Sequence, residues 1–347
     1  MAQKADLVFE GGGVKGVGLA GAYAALEDAK WEPQCVAGTS AGAITAALVA
    51  AGYKGDELRE EVLGLNFRQF KDQGWEDRVP VIGKEISILH DFGVYEGRRF
   101  LDWMTEKLAA KGVRTFGDLP ETGSDDPKRR FRLQVVASDV SRHEMLVLPR
   151  DADKIGSTPE TLSVAYAVRM SMSIPIFFEP VNHSNDATGV EHLIVDGGML
   201  SNFPVWLFDA EDKPRFPTFG LLLVEGPPRT SVADRLDVTP GMTRSHSIIE
   251  YLKAIAQTLM EAHDRMHVDE ADYARTIGIP TLGVRTTDFD LSRERAQELY
   301  QSGYDATQKF LKTFDFEAYT AAFRSDKPAP TRRENLVAAL RRASGKS

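Results

Sequence analysis

The sequence predicts an α/β fold of three layers, with helices on both faces of a mostly parallel central sheet. Two observations carry that expectation. Short apolar runs alternate along the chain with segments of helical periodicity, the pattern of a parallel sheet covered on both sides. Three of those runs end in glycine-rich turns, and the carboxyl ends of strands are where such sheets gather their functional groups. With 42% hydrophobic and 27% charged residues, the chain has enough apolar material for a sizeable core.

Leu7-Val8-Phe9 is a short apolar run that stops at three glycines and reads as a buried strand. A helix follows, with Leu19, Tyr23 and Leu26 at helical spacing and alanines between them. Gln34 to Ala37 is a second short strand. Ala41 to Ala51 is a helix of small residues stopped by Gly52, and Asp56 to Leu63 adds another. Gly64 to Gly93 has weak periodicity but carries Phe67, Phe70, Trp75 and Phe92, and reads as an irregular cap. Gly97 to Ala110 is helical, and Glu121 to Arg130 is a polar surface excursion. Phe131 to Ser138 alternates like a strand, with Met145 to Leu148 as its hairpin partner.

Ser157-Thr158-Pro159-Glu160 offers a capping residue ahead of a first-turn proline, so a helix is expected from there to about Met172. His192 to Val195 is a strand that ends at Asp196-Gly197-Gly198, and Thr218 to Val224 is another. Ser245 to Tyr273 and Ser292 to Phe314 are long amphipathic helices. Asp326 to Thr331 is proline-rich, and Arg333 to Ala343 forms a short terminal helix.

Gly38-Thr39-Ser40-Ala41-Gly42 is a G-x-S-x-G placed directly between a strand and a helix, the context in which that motif presents a nucleophile. The turn is too sharp for side chains at its flanks, so the serine projects alone, near the positive end of the following helix. The competing reading is a capping serine in a glycine-rich turn.

Gly11-Gly12-Gly13-Val14-Lys15-Gly16 lies between the first strand and the first helix. Residues without side chains let backbone amides approach a developing anion, as oxyanion donors must. Gly11-x-Gly13-x-x-Gly16 also matches a dinucleotide fingerprint. That fold needs an acid at the end of the second strand to hold ribose, where this chain has Gly38-Thr39-Ser40. A phosphate P-loop requires Gly-Lys-Ser/Thr, which does not follow.

A serine hydroxyl needs a group to take its proton. The histidines are His90, His143, His183, His192, His246, His263 and His267, and none occupies a glycine-rich strand end. His263 and His267 stand one helical turn apart without the H-E-x-x-H carboxylate of a metal site. Asp196 ends an apolar strand and precedes two glycines, which places a carboxylate at the same sheet edge as Ser40. Partial burial would raise its pKa and make it a more competent base. The alternative for Asp-Gly-Gly is an Asx-type turn.

These blocks, in this order, resemble the patatin-like phospholipases of bacterial type. Glu10 to Gly16 is similar to the family's glycine-rich block, Gly38 to Gly42 to its nucleophile elbow, and Asp196-Gly197-Gly198 to its Asp-Gly-Gly/Ala motif. Ala137-Ser138-Asp139 also fits, as does Ser171-Met172-Ser173-Ile174-Pro175-Ile176-Phe177-Phe178, similar to the family's Ser-x-x-x-Pro-x-x-Phe segment. Glu10 stands where the plant members often have Asp, and Lys15 where Arg is commoner. The resemblance covers roughly Leu7 to Val224. It implies a lipid acyl hydrolase with a Ser40–Asp196 dyad and no catalytic histidine. The amides of Gly11, Gly12 and Gly13 would hold the oxyanion, with Lys15, Gly16, Gly38, Gly42, Gly197 and Gly198 supporting the motifs. Neither metal nor cofactor is implied. Residues 1–320 are then one catalytic domain, with helices over 243–314 packed on it, and 321–347 are a proline-rich, basic tail.

The net charge of −9, from 51 acidic and 42 basic residues, argues against nucleic acid as a partner but not against lipid, whose contacts are largely apolar. Cys35 is the single cysteine, so no internal disulfide and no cysteine zinc cluster can form. The N-terminus lacks the apolar core of a signal peptide, and the longest low-polarity stretch, Ala41 to Tyr53, is too short to span a bilayer. A cytoplasmic protein that meets lipid at a membrane surface is expected. Phe177, Phe178 and Phe203 are candidates either for an acyl slot or for core. The stripe Ile248, Leu252, Ile255, Leu259 and Met266 is read as packing on the sheet. Seven basic residues from Arg324 onward, against Asp326 and Glu334, give a tail that could touch anionic lipid or remain solvated. The rival readings are a Ser-His-Asp esterase using His246 and a nucleotide-binding protein using the 11–16 loop.

Overall fold

The computed structural model describes residues 3–64, 97–121, 123, 126–175, 177–210, 214–225, 270–286, 288 and 291–324. Strand β1 (Gln3–Phe9) is buried over its last five residues and is followed by a short 3-10 turn, Gly13–Gly16, and helix α1 (Val17–Asp28). Strand β2 (Trp31–Thr39) leads through Ser40 alone into α2 (Ala41–Ala50). All ten α2 residues are buried, because a helix of alanine, glycine and aliphatics has no polar face to offer water. Helices α3 (Gly55–Gly64) and α4 (Arg98–Ala110) follow; they bury Leu58 and Val62, and Phe100, Met104 and Leu108. The remaining elements are β3 (Leu133–Asp139), β4 (Glu144–Leu148), α5 (Val164–Ser171), β5 (Val181–Asn185), β6 (Val190–Asp196), β7 (Thr218–Val224), α6 (Glu270–Ala274), β8 (Thr276–Pro280), α7 (Arg293–Leu311) and α8 (Phe316–Phe323).

The described strands form one eight-stranded sheet. Its centre is parallel: β1 pairs with β2 and β7, β2 with β3, and β7 with β8. The expected α/β class with a mostly parallel sheet is therefore the observed one. The main core lies where α1, α2, α5 and α7 cover the sheet and α4 packs on α5 and α2, around Leu7, Phe9, Leu19, Leu48, Phe100, Leu133 and Ile277. A smaller cluster of Val8, Cys35, Ala37, Val136 and Val147 is covered on the other face by Leu207 and Phe208.

One side of the sheet is antiparallel, and this places the site. β3 pairs with three strands but has only two edges. β4 takes one edge along Val135–Asp139. The other edge is divided: β2 lies opposite residues 133–136, and β6, running antiparallel, lies opposite residues 137–139. β2 and β6 therefore run head to head, with Thr39 opposite Val136 and Asp196 opposite Ala137. β5 pairs with the outer edge of β6.

Several expectations shift. The helix expected from Ser157 begins at Val164, capped by the Ser163 side chain, which accepts from the Tyr166 amide. Thr158 does start a turn, with the Leu162 amide on its carbonyl. The turn is not continued, because the Phe116 amide takes Leu162 O and the Val164 amide takes Arg114 O. Tertiary backbone pairing thus outweighs a local helix signal. β5, β8 and α8 are elements the sequence pattern did not announce. The 64–93 cap from residue 65 onward, the 245–273 helix before Glu270, and the tail from residue 325 lie outside the described residues, as do the stripe residues Ile248 to Met266.

Candidate active site

Ser40 occupies the one-residue corner between β2 and α2, with φ 53° and ψ −125°, a backbone conformation that costs a non-glycine residue about 1–3 kcal/mol. Its neighbours explain how the chain can turn there. A Cβ on Gly38 would stand 2.3 Å from Gly42 O, and one on Gly42 would stand 2.3 Å from Phe9 O. The corner closes only because both flanks lack side chains. The Ser40 amide donates to Ser171 Oγ at 2.9 Å, and Ser171 Oγ donates to Val136 O at 2.5 Å. Thr39 Oγ1 donates to Ser201 O at 3.0 Å. Ser40 itself is buried and occupies the N-cap position of α2 without a side-chain capping bond, where the helix dipole favours negative charge on its oxygen.

Asp196 ends β6, and its amide donates to Ser173 O at 2.9 Å. Its carboxylate is fully buried. Burial pushes its pKa up to about 7, against the opposing pull of the Ser40 hydroxyl and the Gly198 amide. Oδ1 accepts from the Gly198 amide at 2.7 Å, whereas Oδ2 completes no hydrogen bond of standard geometry. Ser40 and Asp196 are thus close enough to influence each other's charge, through a contact looser than a standard hydrogen bond; such contacts commonly tighten when substrate binds. The sequence placed both groups at one sheet edge. They reach it because β6 runs against its neighbour, not because two parallel strands end side by side. Gly197 packs against Val136 O, where a Cβ would come within 2.2 Å.

The glycine loop lies against Ser40. A Cβ on Gly11 would sit 3.1 Å from the Ser40 Cβ and 2.1 Å from Asn202 Oδ1. The Gly11 amide donates to Asn202 O at 3.0 Å, so that amide is withdrawn from the expected set of three oxyanion donors. The amides of Gly12 and Gly13 donate to no acceptor among the described residues. Gly13 has φ +55° and packs on the Thr286 carbonyl, which accepts from the Val14 amide at 3.2 Å. Asn202 Nδ2 donates back to Gly11 O at 3.0 Å and to Glu10 Oε1 at 3.4 Å. Glu10 Oε2 accepts from the Leu223 amide at 2.5 Å.

Lys15 is buried, with its ammonium 3.4 Å from Glu225 Oε1, and Gly16 packs on the Ala41 methyl. The described histidines stand apart from the pair. His192 Nδ1 meets Asp139 Oδ2 at 2.6 Å, His183 bonds Tyr166 OH and Ile155 O, and His143 is exposed. His90, His246, His263 and His267 lie outside the described residues. Phe178 and Phe203 are core residues, and Phe177 packs on the core half-buried. Among the described residues no three His, Cys, Asp or Glu side chains gather as a metal site. Asn202 was missed in the sequence. Its only local signal is a polar pair, Ser201-Asn202, inside an otherwise apolar stretch six residues beyond Asp196.

Comparison with known proteins adds four findings. The family model "Patatin-like phospholipase" matches residues 7–209. The uncharacterized protein YqhO of Bacillus subtilis (strain 168) is 38% identical over 311 residues, 90% of this chain and 99% of that protein. R571 of Acanthamoeba polyphaga mimivirus is 25% identical over 62% of this chain and 65% of its own length. Among solved structures, VipD from Legionella pneumophila superposes with a TM-score of 0.52 at 20% identity, over 90% of this chain and 67% of that one, a likeness of fold.

Proposed function

The chain belongs to the patatin-like phospholipase family, and from that premise we propose that it hydrolyses fatty-acyl esters of lipids through a Ser40–Asp196 dyad. One observation carries the reading: a fully buried carboxylate, pushed up to about 7, beside a strained serine at a helix N-terminus. A base whose pKa lies near neutrality can both take and return a proton at working pH.

In the proposed sequence Asp196 takes the Ser40 proton as Oγ attacks the ester carbonyl. The carbonyl oxygen becomes an oxyanion and is held by the amides of Gly12 and Gly13. A dry, fixed pair of donors stabilises that charge without reorganising, and one such donor is typically worth about 2.7–4 kcal/mol of barrier. The intermediate collapses, and protonated Asp196 gives its proton to the leaving alcohol. Asp196 then takes a proton from the water that attacks the acyl-Ser40 ester, and returns it to Ser40 Oγ as the acyl C–O bond breaks and the fatty acid leaves. No described histidine hydrogen-bonds either residue. We propose phospholipid at a membrane surface as the substrate; no described helix is long and apolar enough to cross a membrane.

The test is labelling with a fluorophosphonate, followed by a panel of defined phospholipids. Wild type should be labelled, Ser40→Ala should not, and Asp196→Asn should be labelled much more slowly. Equal labelling of Asp196→Asn and wild type would remove Asp196 from the mechanism.

A further inference from the structure

Within the dyad reading, we propose that Asn202 is the positioning residue of the oxyanion loop, and that its side-chain amide sets how well Gly12 and Gly13 stabilise the transition state. The glycine loop is held poorly by its own chemistry, since Gly11, Gly12 and Gly13 have no side chains with which to anchor themselves. Their conformational freedom must be restrained from outside if the amides are to be aimed before the anion forms.

Asn202 supplies that restraint at the residue where the loop meets the nucleophile. The Gly11 amide donates to Asn202 O at 3.0 Å, and Asn202 Nδ2 donates to Gly11 O at 3.0 Å. This two-way clamp fixes both peptide planes of Gly11, and the second of them carries the Gly12 N–H. The same Nδ2 reaches Glu10 Oε1 at 3.4 Å, while Glu10 Oε2 is held by the Leu223 amide at 2.5 Å. The clamp is therefore itself fastened to β7. Asn202 is buried and leans on Gly11 so closely that a methyl there would meet its Oδ1 at 2.1 Å. Ser201 O, one residue earlier, accepts from Thr39 Oγ1. The stretch from Asp196 to Asn202 thus carries the base, buttresses the serine corner and clamps the oxyanion loop. Nothing in Asn202 needs to touch the ester. It acts through the Gly11 peptide planes, and a displacement of about 1 Å in such a group can cost about 100-fold in rate.

The test uses the full chain carrying Asn202→Ala, Asn202→Ser or Asn202→Asp. Asn202→Asp keeps the size of the side chain but sets an oxygen against Gly11 O and the Glu10 carboxylate. For each variant kcat and KM are measured on a soluble ester, and Ki is measured for a trifluoromethyl ketone and for its methyl ketone analogue. The fluorinated ketone is attacked by Ser40 Oγ, its carbonyl oxygen becomes an oxyanion, and the serine proton passes to Asp196. The methyl ketone binds without that addition. Variants should lose about 100-fold in kcat with KM within about threefold. Ki for the fluorinated ketone should rise by the same factor as kcat falls, while Ki for the methyl ketone stays put. Three results would overturn the proposal: folded variants with wild-type kcat, a fall in kcat without loss of fluorinated-ketone affinity, or loss of a cooperative unfolding transition in all three. Wild-type protein that a fluorophosphonate leaves unlabelled at Ser40 is a different failure, and it removes the dyad reading beneath this one.

Discussion

Thr39 and Asp196 end two strands that run head to head along a single edge of β3, the first opposite Val136 and the second opposite Ala137. The Ser40 corner and the Asp196 carboxylate are brought together by one strand edge. They are held there from above by one short segment, in which Ser171 Oγ receives the Ser40 amide and Ser173 O receives the Asp196 amide.

Ser171 is the more exposed of those supports to mutation, because its hydroxyl serves two backbone groups. Ser171→Ala leaves the Ser40 N–H and Val136 O unpaired in a buried place, at about 1–3 kcal/mol for each group. The expected outcome is a lowered melting temperature together with slower fluorophosphonate labelling of the folded protein. Wild-type labelling by Ser171→Ala would show that the corner holds itself.

The raised Asp196 pKa fixes the pH dependence of turnover. In the proposed mechanism the carboxylate is the active form, so log kcat/KM should rise with unit slope as pH increases and level off above about 7. A profile flat between pH 5 and 8, measured on a soluble ester, would contradict Asp196 as base.

The same shift has a stability consequence of opposite sign. The native state holds the Asp196 proton to about 7, whereas the unfolded chain releases it near 3.9. Stability from this group is complete below that lower value and is lost as pH rises through the upper one. Asp196→Asn should therefore unfold at higher denaturant than wild type at pH 8, by roughly 3–4 kcal/mol, with the difference vanishing near pH 4. Denaturant titration at the two pH values checks it.

Strain at the corner gives a further contrast. Ser40→Gly should be more stable than Ser40→Ala by about 1 kcal/mol, since only glycine adopts the left-handed corner without steric cost. Equal melting temperatures would mean that the corner is not strained.

Glycine replacements separate contact from conformation. Gly42→Ala forces a methyl onto the backbone oxygens of Phe9 and Glu10 and should abolish folding. Gly52→Ala meets open space and should cost only about 1 kcal/mol for its positive φ. Expression and circular dichroism of the two variants decide the matter.

The sequence alone determined many of the elements and the turn chemistry around the candidate site. Leu7 to Phe9, Ala41 to Ala50 and Thr218 to Val224 lie where periodicity puts them, because burial and backbone propensity act over a few residues. Gly38 and Gly42 announced a corner that no side chain could share, since that steric rule is local as well. The fold decided everything that depends on direction and partnership. It made β6 antiparallel, moved a helix start from Ser157 to Val164, engaged the Gly11 amide and brought Asn202 onto the glycine loop. A strand carries no mark of which edge it will join or in which sense. Those choices are made by hydrogen bonds between residues far apart in the chain, from about fifty to nearly two hundred positions, and they exist only once the sheet has assembled.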